Sequence, residues 1–337
     1  MKANFTVRNQ SDVYIASASQ LLPELLGERR VVVITDASMV RLYGSLIAPY
    51  DMILVGQGES SKTLHTIEQI YRKLIELGAD RRTFILGIGG GIVTDMAGFA
   101  ASTYMRGLEF GFVSTTLLGQ VDASVGGKNG VNVGGFKNMA GCFLQPRFVI
   151  CDPEMLTTLP EREFRAGLAE VIKSAIIADK PLFEKLEQSS FEELRTNQTL
   201  LGEVVASSVG VKAAIVERDE REGGERRLLN LGHTLGHAIE KSSREMIHGE
   251  AVAVGVVMMA RMAQRMGLLA ESEADRIQAL FVRMGFVLKS PVSSARLKKA
   301  CGKDKKSEAD KIHIVLPTAI GRCECRLMEK EKFTALF

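Results

Sequence analysis

The chain has 337 residues, 46% of them hydrophobic, enough for a large core and for two domains of ordinary size. Its formal net charge is +3 with 25% charged residues, too balanced for a nucleic-acid or membrane surface, so any basic cluster serves a small anion locally. Five scattered cysteines, only Cys323 and Cys325 of them close together, lack the spacing of a structural zinc module, and a polar N-terminus with no apolar run of about 18 residues predicts a cytoplasmic protein without a membrane span.

In chain order, Val31–Thr35 (VVVIT) is a β-branched run ending at Asp36, the form of a buried parallel strand that stops before a ligand-facing loop. Met52–Val55 repeats it and opens into Gly56-Gln57-Gly58-Glu59. Across Lys62–Leu77 the residues Ile67, Ile70, Tyr71, Leu74 and Ile75 fall on one helical stripe. A third strand, Thr83–Ile88, runs into Gly89-Gly90-Gly91-Ile92-Val93-Thr94-Asp95. Strand, glycine turn and helix in that order leave backbone N–H groups and a positive helix end for a pyrophosphate. The spacing is not G-x-G-x-x-G, and the glycines would equally serve a plain tight turn. Phe110–Ser114 and Arg147–Cys151 add strands, and the alternation predicts an α/β domain over residues 1–156, mainly parallel, with helices on both faces.

Within it, Gln120–Asn138 carries five glycines and two lysines with almost no helical or strand periodicity, and is expected to be an irregular functional loop. Lysines on such a loop suit phosphate or carboxylate as movable point charges. A merely flexible loop would explain the glycines but not the interleaved Val121, Val125, Val131 and Val133.

Residues 157–337 change character. Helical patterns over Glu161–Ala178, Leu200–Glu217, Leu229–Lys241, Glu250–Met266 and Glu273–Met284, then a strand pair near Ile312–Leu316 and Cys323–Leu327, predict a mostly α-helical domain. Three of the chain's five histidines lie in Leu229–Glu250: His233 and His237 share a helix face at i, i+4, and His248 follows from the next segment. Such a set suits a catalytic zinc completed by a carboxylate and a water; the plainer alternative is helix-capping or core histidines. Glu170 sits in an apolar helix three residues before Lys173, and a buried carboxylate needs a partner. A salt bridge to Lys173 would serve, and so would a metal, in which case Glu170, His233 and His248 make a His₂Glu set with one open position.

Taken together, GGGIVTD (89–95), YMRG (104–107), QVDASVGGK (120–128), KN (137–138), AEVIK (169–173), LNLGHTLGHAIE (229–240), HGE (248–250) and DKK (304–306) resemble 3-dehydroquinate synthase, a sugar phosphate cyclase, in order over roughly residues 30–320. The resemblance implies a Rossmann-like NAD-binding α/β domain followed by a mostly α-helical metal-binding domain. It also implies a phosphorus-oxygen lyase of the shikimate route to aromatic amino acids. Such an enzyme converts 3-deoxy-D-arabino-heptulosonate 7-phosphate to 3-dehydroquinate and phosphate by oxidation, phosphate elimination, reduction and aldol closure. Its cofactors would be NAD and a divalent metal, usually Zn2+ with Co2+ possible, and its state a cytoplasmic homodimer.

Position by position, the resemblance makes Glu170, His233 and His248 the metal ligands, in place of the i, i+4 pair that spacing favours. His237 would then help with proton transfer. Asp122, Lys128, Asn138, Lys173, Lys212, Arg226 and Asn230 would surround the substrate, the first two with Lys173 and Asn230 taking part in catalysis. Arg106 would reach the phosphate from the neighbouring subunit, and one of Lys305 and Lys306 would be a late phosphate lysine. Asp36, Glu59, Lys62, Gly90, Gly91, Asp95, Thr115, Thr116, Lys128, Lys137 and Thr158 match cofactor positions. Asn129 stands where the family usually has Thr, and Phe136 where it has Gly, two departures that bear on loop geometry. Another sugar phosphate cyclase, or a metal-dependent polyol dehydrogenase of similar fold, is the rival. The first is expected to depart at Asn230, His237, Lys212 or Arg226, and the second needs fewer anion-binding lysines.

Overall fold

A computed structural model describes residues 3–243, 245–302 and 310–337. The chain divides into two units, Met1–Pro160 and Glu161–Phe337. The first unit runs β1 (Phe5–Val7), β2 (Ser11–Ile15), α1 (Ala18–Leu26), β3 (Val31–Asp36), α2 (Ala37–Ile47), β4 (Asp51–Val55), α3 (Leu64–Glu76), β5 (Phe84–Gly89), α4 (Gly91–Thr103), β6 (Phe110–Ser114), β7 (Lys128–Val133), β8 (Phe136–Phe143) and β9 (Phe148–Cys151). Seven strands form one sheet in the order β1-β2-β9-β6-β5-β3-β4, parallel except for β1 against β2.

The continuous apolar runs are the central strands. β5, β6 and β9 are buried at every position, and Phe84 stacks on Phe148 at 5.5 Å between ring centroids. After β3 the chain steps outward to β4, then returns to the other side of β3 as β5. Strand order therefore reverses between β3 and β5, and the carboxyl ends of those strands, Asp36 and Gly89, flank the crevice where such sheets hold ligands.

The expectation of an irregular loop over Gln120–Asn138 does not hold. Gly119–Ala123 is a single π-helical turn, and Lys128 onward is an antiparallel hairpin of β7 and β8. Gly134 and Gly135 make its two-residue turn at φ 58° and 79°, the left-handed pair that a type I′ turn demands. Val121, Val125 and Val131 are buried, while Val133 is exposed. Asn129, one of the two departures from the family, is buried and donates to the carbonyls of Gly127 (3.1 Å) and Leu144 (2.9 Å), tying the hairpin's ends.

The second unit comprises α5 (Glu161–Ala178), α6 (Lys180–Gln188), α7 (Phe191–Thr196), α8 (Gln198–Arg218), α9 (His233–Ser242), α10 (His248–Arg265), α11 (Glu271–Arg283), α12 (Ser294–Gly302), the antiparallel pair β10 (Lys311–Ala319) and β11 (Arg322–Glu329), and α13 (Lys330–Ala335). Several boundaries differ from the expected ones, and two of them place histidines of the site. Residues 225–230 form a 3₁₀ turn, and Gly232 at φ 77° breaks the chain direction so that α9 begins at His233. At the other boundary Glu250 folds back to accept from Ile247 N (3.0 Å), which starts α10 at His248.

α8 also corrects the absence of a span-length run. Its 21 residues are long and apolar enough to cross a membrane, by length and composition. Half of its apolar window is buried inside the unit, where α8 packs on α5 as a core helix.

Candidate active site

Three helices of the second unit bring Glu170, His233 and His248 together. Arg162, Ala166 and Glu170 recur every four residues along one face of α5 and meet Glu250, Gly249 and His248 in turn. Arg162 grips the Glu250 carboxylate with Nε and Nη2, each at 2.7 Å. A Cβ on Gly249 would lie 2.0 Å from the Ala166 carbonyl oxygen, so the helices touch backbone to backbone there. One turn further, Glu170 Oε1 stands 3.4 Å from His248 Nε2 and 3.7 Å from His233 Nε2. α9 reaches α10 through the other close approach, where a Cβ on Gly255 would lie 2.1 Å from the Gly232 carbonyl oxygen.

In an ordinary helix Gly→Ala gains about 0.5–1 kcal/mol. Gly249→Ala is instead expected to lower stability by about 1–3 kcal/mol, because the methyl must push α10 off α5. Thermal melting checks it; a variant as stable as wild type would show that the approach is not tight.

Glu170 divides its two oxygens. Oε2 is ion-paired with Lys173 Nζ, both side chains being almost fully buried, while Oε1 faces the imidazoles. The salt bridge and the carboxylate–histidine cluster thus coexist. His233 Nδ1 lies 3.2 Å from the Leu231 carbonyl; a proton donated there leaves the Nε2 lone pair toward Glu170. Burial, reinforced by the Lys173 charge, pushes His233 down to about 3, so it is neutral near pH 7. Burial also pulls His248 down, but its bonds to Glu170 and Glu240 more than reverse this, to about 9. The atoms of Glu170, His233 and His248 all lie within 4.8 Å of one another. Ligands about 2.1 Å from a tetrahedral zinc stand about 3.4 Å apart, so the spacing fits that ion. His237, Glu240 and His248 form a second set within the same reach, but it uses the other nitrogen of His248 and an exposed His237.

The basic residues expected around a substrate are mostly buried in this unit. Lys173, Lys212 on α8 and Arg226 are 2%, 7% and 2% exposed. Arg226 donates to the Glu220 carbonyl, and Asn230 donates its amide to Glu222. Glu222, at φ 62°, and Glu240, at i+7 from His233, are polar members of this region that motif reading passed over. His237 is exposed, its ring centroid 5.2 Å from that of His233. Lys305 and Lys306 lie outside the described residues.

In the first unit most of the expected cofactor residues follow the carboxyl ends of the sheet strands, while Lys128 and Lys137 lie on the β7–β8 hairpin. Asp36 caps α2 by accepting from Ser38 N (2.7 Å) and Met39 N (3.3 Å), and also takes Gln57 Nε2 (3.0 Å), all on Oδ1. Gly90 is the N-cap of α4 with no side-chain cap, and Gly91 begins that helix. Ser114 Oγ and Thr115 Oγ1 are buried with no hydrogen bond, while Thr116 Oγ1 accepts from Gly119 N (3.0 Å). Orphan hydroxyls beside an uncapped 13-residue helix fit a phosphate-bearing cofactor.

Thr158 is bonded to the Tyr43 hydroxyl (2.7 Å), and Glu59 Oε1 accepts from Asn132 (2.7 Å). Buried Lys62 pairs with Asp95 and donates to Asn138 Oδ1 (2.6 Å), joining a residue expected at the substrate to two expected at the cofactor. Burial raises Asp95 to about 6 against the pull of Lys62. Asp122 lies in the π turn, Lys128 is the exposed first residue of β7, and Lys137 is exposed on β8. Arg106 is exposed too, in a turn where Met105 and Arg106 both have positive φ, 48° and 72°. Glu109, its nearest acid in sequence, is instead bonded to Arg147 (Nε, 2.9 Å).

Comparison with known proteins identifies the family of the chain. The 3-dehydroquinate synthase N-terminal family matches residues 52–166, and the 3-dehydroquinate synthase C-terminal family matches residues 167–307. The chain is 42% identical over 312 residues to 3-dehydroquinate synthase of a Synechococcus species, covering 88% of this chain and 85% of that one. It is 44% identical over 308 residues to the Halorhodospira halophila 3-dehydroquinate synthase, covering 89% and 87%. Among solved structures, 2-epi-5-epi-valiolone synthase from Streptomyces hygroscopicus subsp. jinggangensis, with NAD+ and Zn2+ bound, aligns with a TM-score of 0.88 at 27% identity, covering 97% of this chain and 95% of that one. The chain belongs to the 3-dehydroquinate synthase family.

Proposed function

We propose that this chain carries out its family's reaction, closing 3-deoxy-D-arabino-heptulosonate 7-phosphate to 3-dehydroquinate with release of phosphate, in a cytoplasmic homodimer. The observation that carries the site reading is the Glu170, His233 and His248 cluster, whose 3.4 and 3.7 Å separations are those of ligands about one zinc ion. Glu170, His233 and His248 would hold the divalent ion, and Asp36, Glu59, Lys62, Gly90, Gly91, Asp95, Thr115, Thr116, Lys137 and Thr158 would hold the dinucleotide. When bound, NAD+ supplies a hydride acceptor and the metal a Lewis acid for the substrate hydroxyls.

What the chain itself does is orient and neutralise a substrate bearing both a carboxylate and a phosphate. Lys173, Lys212 and Arg226 are charges already desolvated and held by packing, so they meet an anion without reorganising. Asn230 would bind a substrate hydroxyl, and the family resemblance gives Asp122, Lys128 and Asn138 of the first unit the same task. His237 is the ring left outside the ligand set, and it would move the proton. The five free cysteines suit a reducing compartment.

Inorganic phosphate release from 3-deoxy-D-arabino-heptulosonate 7-phosphate tests the reading directly. NAD+ is expected to be required yet not consumed, since the hydride returns within each turnover. Absorbance at the NADH band should stay flat while phosphate accumulates. Steady NADH build-up would overturn the cyclase reading in favour of a dehydrogenase, and release only from a different sugar phosphate would favour another cyclase.

A further inference from the structure

Glu240 has no place in the roles above, yet it sits on the same face of α9 as His233 and His237, at i+7 and i+3. Its Oε2 lies 3.5 Å from His248 Nδ1, at the outer edge of hydrogen-bond reach. The other nitrogen of that ring, Nε2, is the one facing Glu170 at 3.4 Å. The Glu240 side chain is only 16% exposed.

An imidazole can offer a metal one nitrogen while the other keeps its proton, and which nitrogen is offered depends on the acceptor the protonated side finds. The His248 ring is mounted on the first residue of α10, and the torsion that swings it is broad and roughly two-fold. Little in the backbone therefore decides which nitrogen faces Glu170. We propose that Glu240 is the positioning residue for His248: it accepts the Nδ1 proton and so holds Nε2 toward the divalent ion. His233 gets the same service from the Leu231 carbonyl at 3.2 Å, so each imidazole of the set has its own acceptor on the far side. The inference rests on the reading of Glu170, His233 and His248 as the ligand set.

The test is Zn2+ affinity, by competition with a chromophoric chelator, together with the visible spectrum of the Co2+-loaded protein and the melting temperature without metal. Glu240→Ala should bind Zn2+ about 10- to 100-fold more weakly and show an altered Co2+ band. Glu240→Gln keeps an acceptor oxygen and should recover part of that loss; it carries the test if the alanine variant does not fold. Zn2+ affinity and Co2+ spectrum like wild type in both variants would overturn the proposal. So would a lowered metal-free melting temperature with affinity unchanged, which marks a structural role. If His237→Ala strips the metal and Glu170→Gln does not, Glu240 is itself a ligand and the proposal falls. If His248→Ala keeps full Zn2+, the ligand reading fails and takes the proposal with it.

Discussion

His248→Ala is expected to bring metal content from about one ion per chain to near none and phosphate release down by about 10³-fold or more, with the helical unit still folded. A three-ligand catalytic site does not survive loss of one donor, whereas its ion adds less to folding than a structural zinc does. The position of α10 is held by other contacts, namely the Arg162–Glu250 pair and the close approach of Gly249 to Ala166, and the substitution touches neither. His237→Ala is the matched control. Its ring lies outside the set, so metal should stay while turnover falls by about 10²- to 10⁴-fold, the usual contribution of a proton-transfer group. Elemental analysis beside the phosphate assay separates the two. Metal loss in His237→Ala would move the site to the second cluster of His237, Glu240 and His248, while full occupancy in His248→Ala would exclude both sets, since each contains that ring.

The ligand set shows where sequence reading reaches and where it stops. The histidine block announces a site, but spacing alone favours His233 with His237, because a helical pattern pairs residues within one helix and not across helices. The third member, Glu170, sits 63 residues before His233 on another helix, and its place is fixed by two bare glycine approaches, Gly249 on Ala166 and Gly255 on Gly232. No charge or periodicity records such contacts; only the family motifs do. Glu240 was within reach, since it continues the His233 and His237 face by one more turn.

The sheet divides in the same way. β3, β5, β6 and β9 are legible because strands buried on both faces read as unbroken apolar runs. β8 is exposed along most of its length and alternates nothing, so FKNMAGCF looks like loop. The Gly134-Gly135 pair was the hairpin signal, hidden among five other glycines between Gly119 and Gly141.

Arg106→Ala is expected to cut kcat/KM by roughly 10²- to 10⁴-fold, the worth of two charge-assisted bonds to a phosphate at about 1.5–3 kcal/mol each, without loss of metal or NAD+. The plain alternative, a surface arginine paired with Glu109, is worth under about 1 kcal/mol, and that acid is engaged by Arg147 instead. The backbone also argues for a purpose. Met105 and Arg106 hold consecutive left-handed conformations that a non-glycine residue adopts at about 1–3 kcal/mol each. The turn is pinned by Gly107 N donating to Tyr104 O (2.9 Å) and Leu108 N donating to Ala101 O (2.8 Å).

An exposed arginine on a strained turn, with no ion pair among the described residues, suits a group presented to another molecule. In the proposed homodimer that molecule is the substrate bound by the neighbouring subunit. Mixing Arg106→Ala with Lys128→Ala under conditions that let subunits exchange tests this. In a mixed dimer one site takes Lys128 from one chain and Arg106 from the other, both intact, while the second site collects both defects. Random pairing in a two-fold dimer should then recover about a quarter of wild-type turnover. If Arg106 serves its own chain, every site keeps one defect and mixing recovers nothing, which would make each subunit's site self-contained.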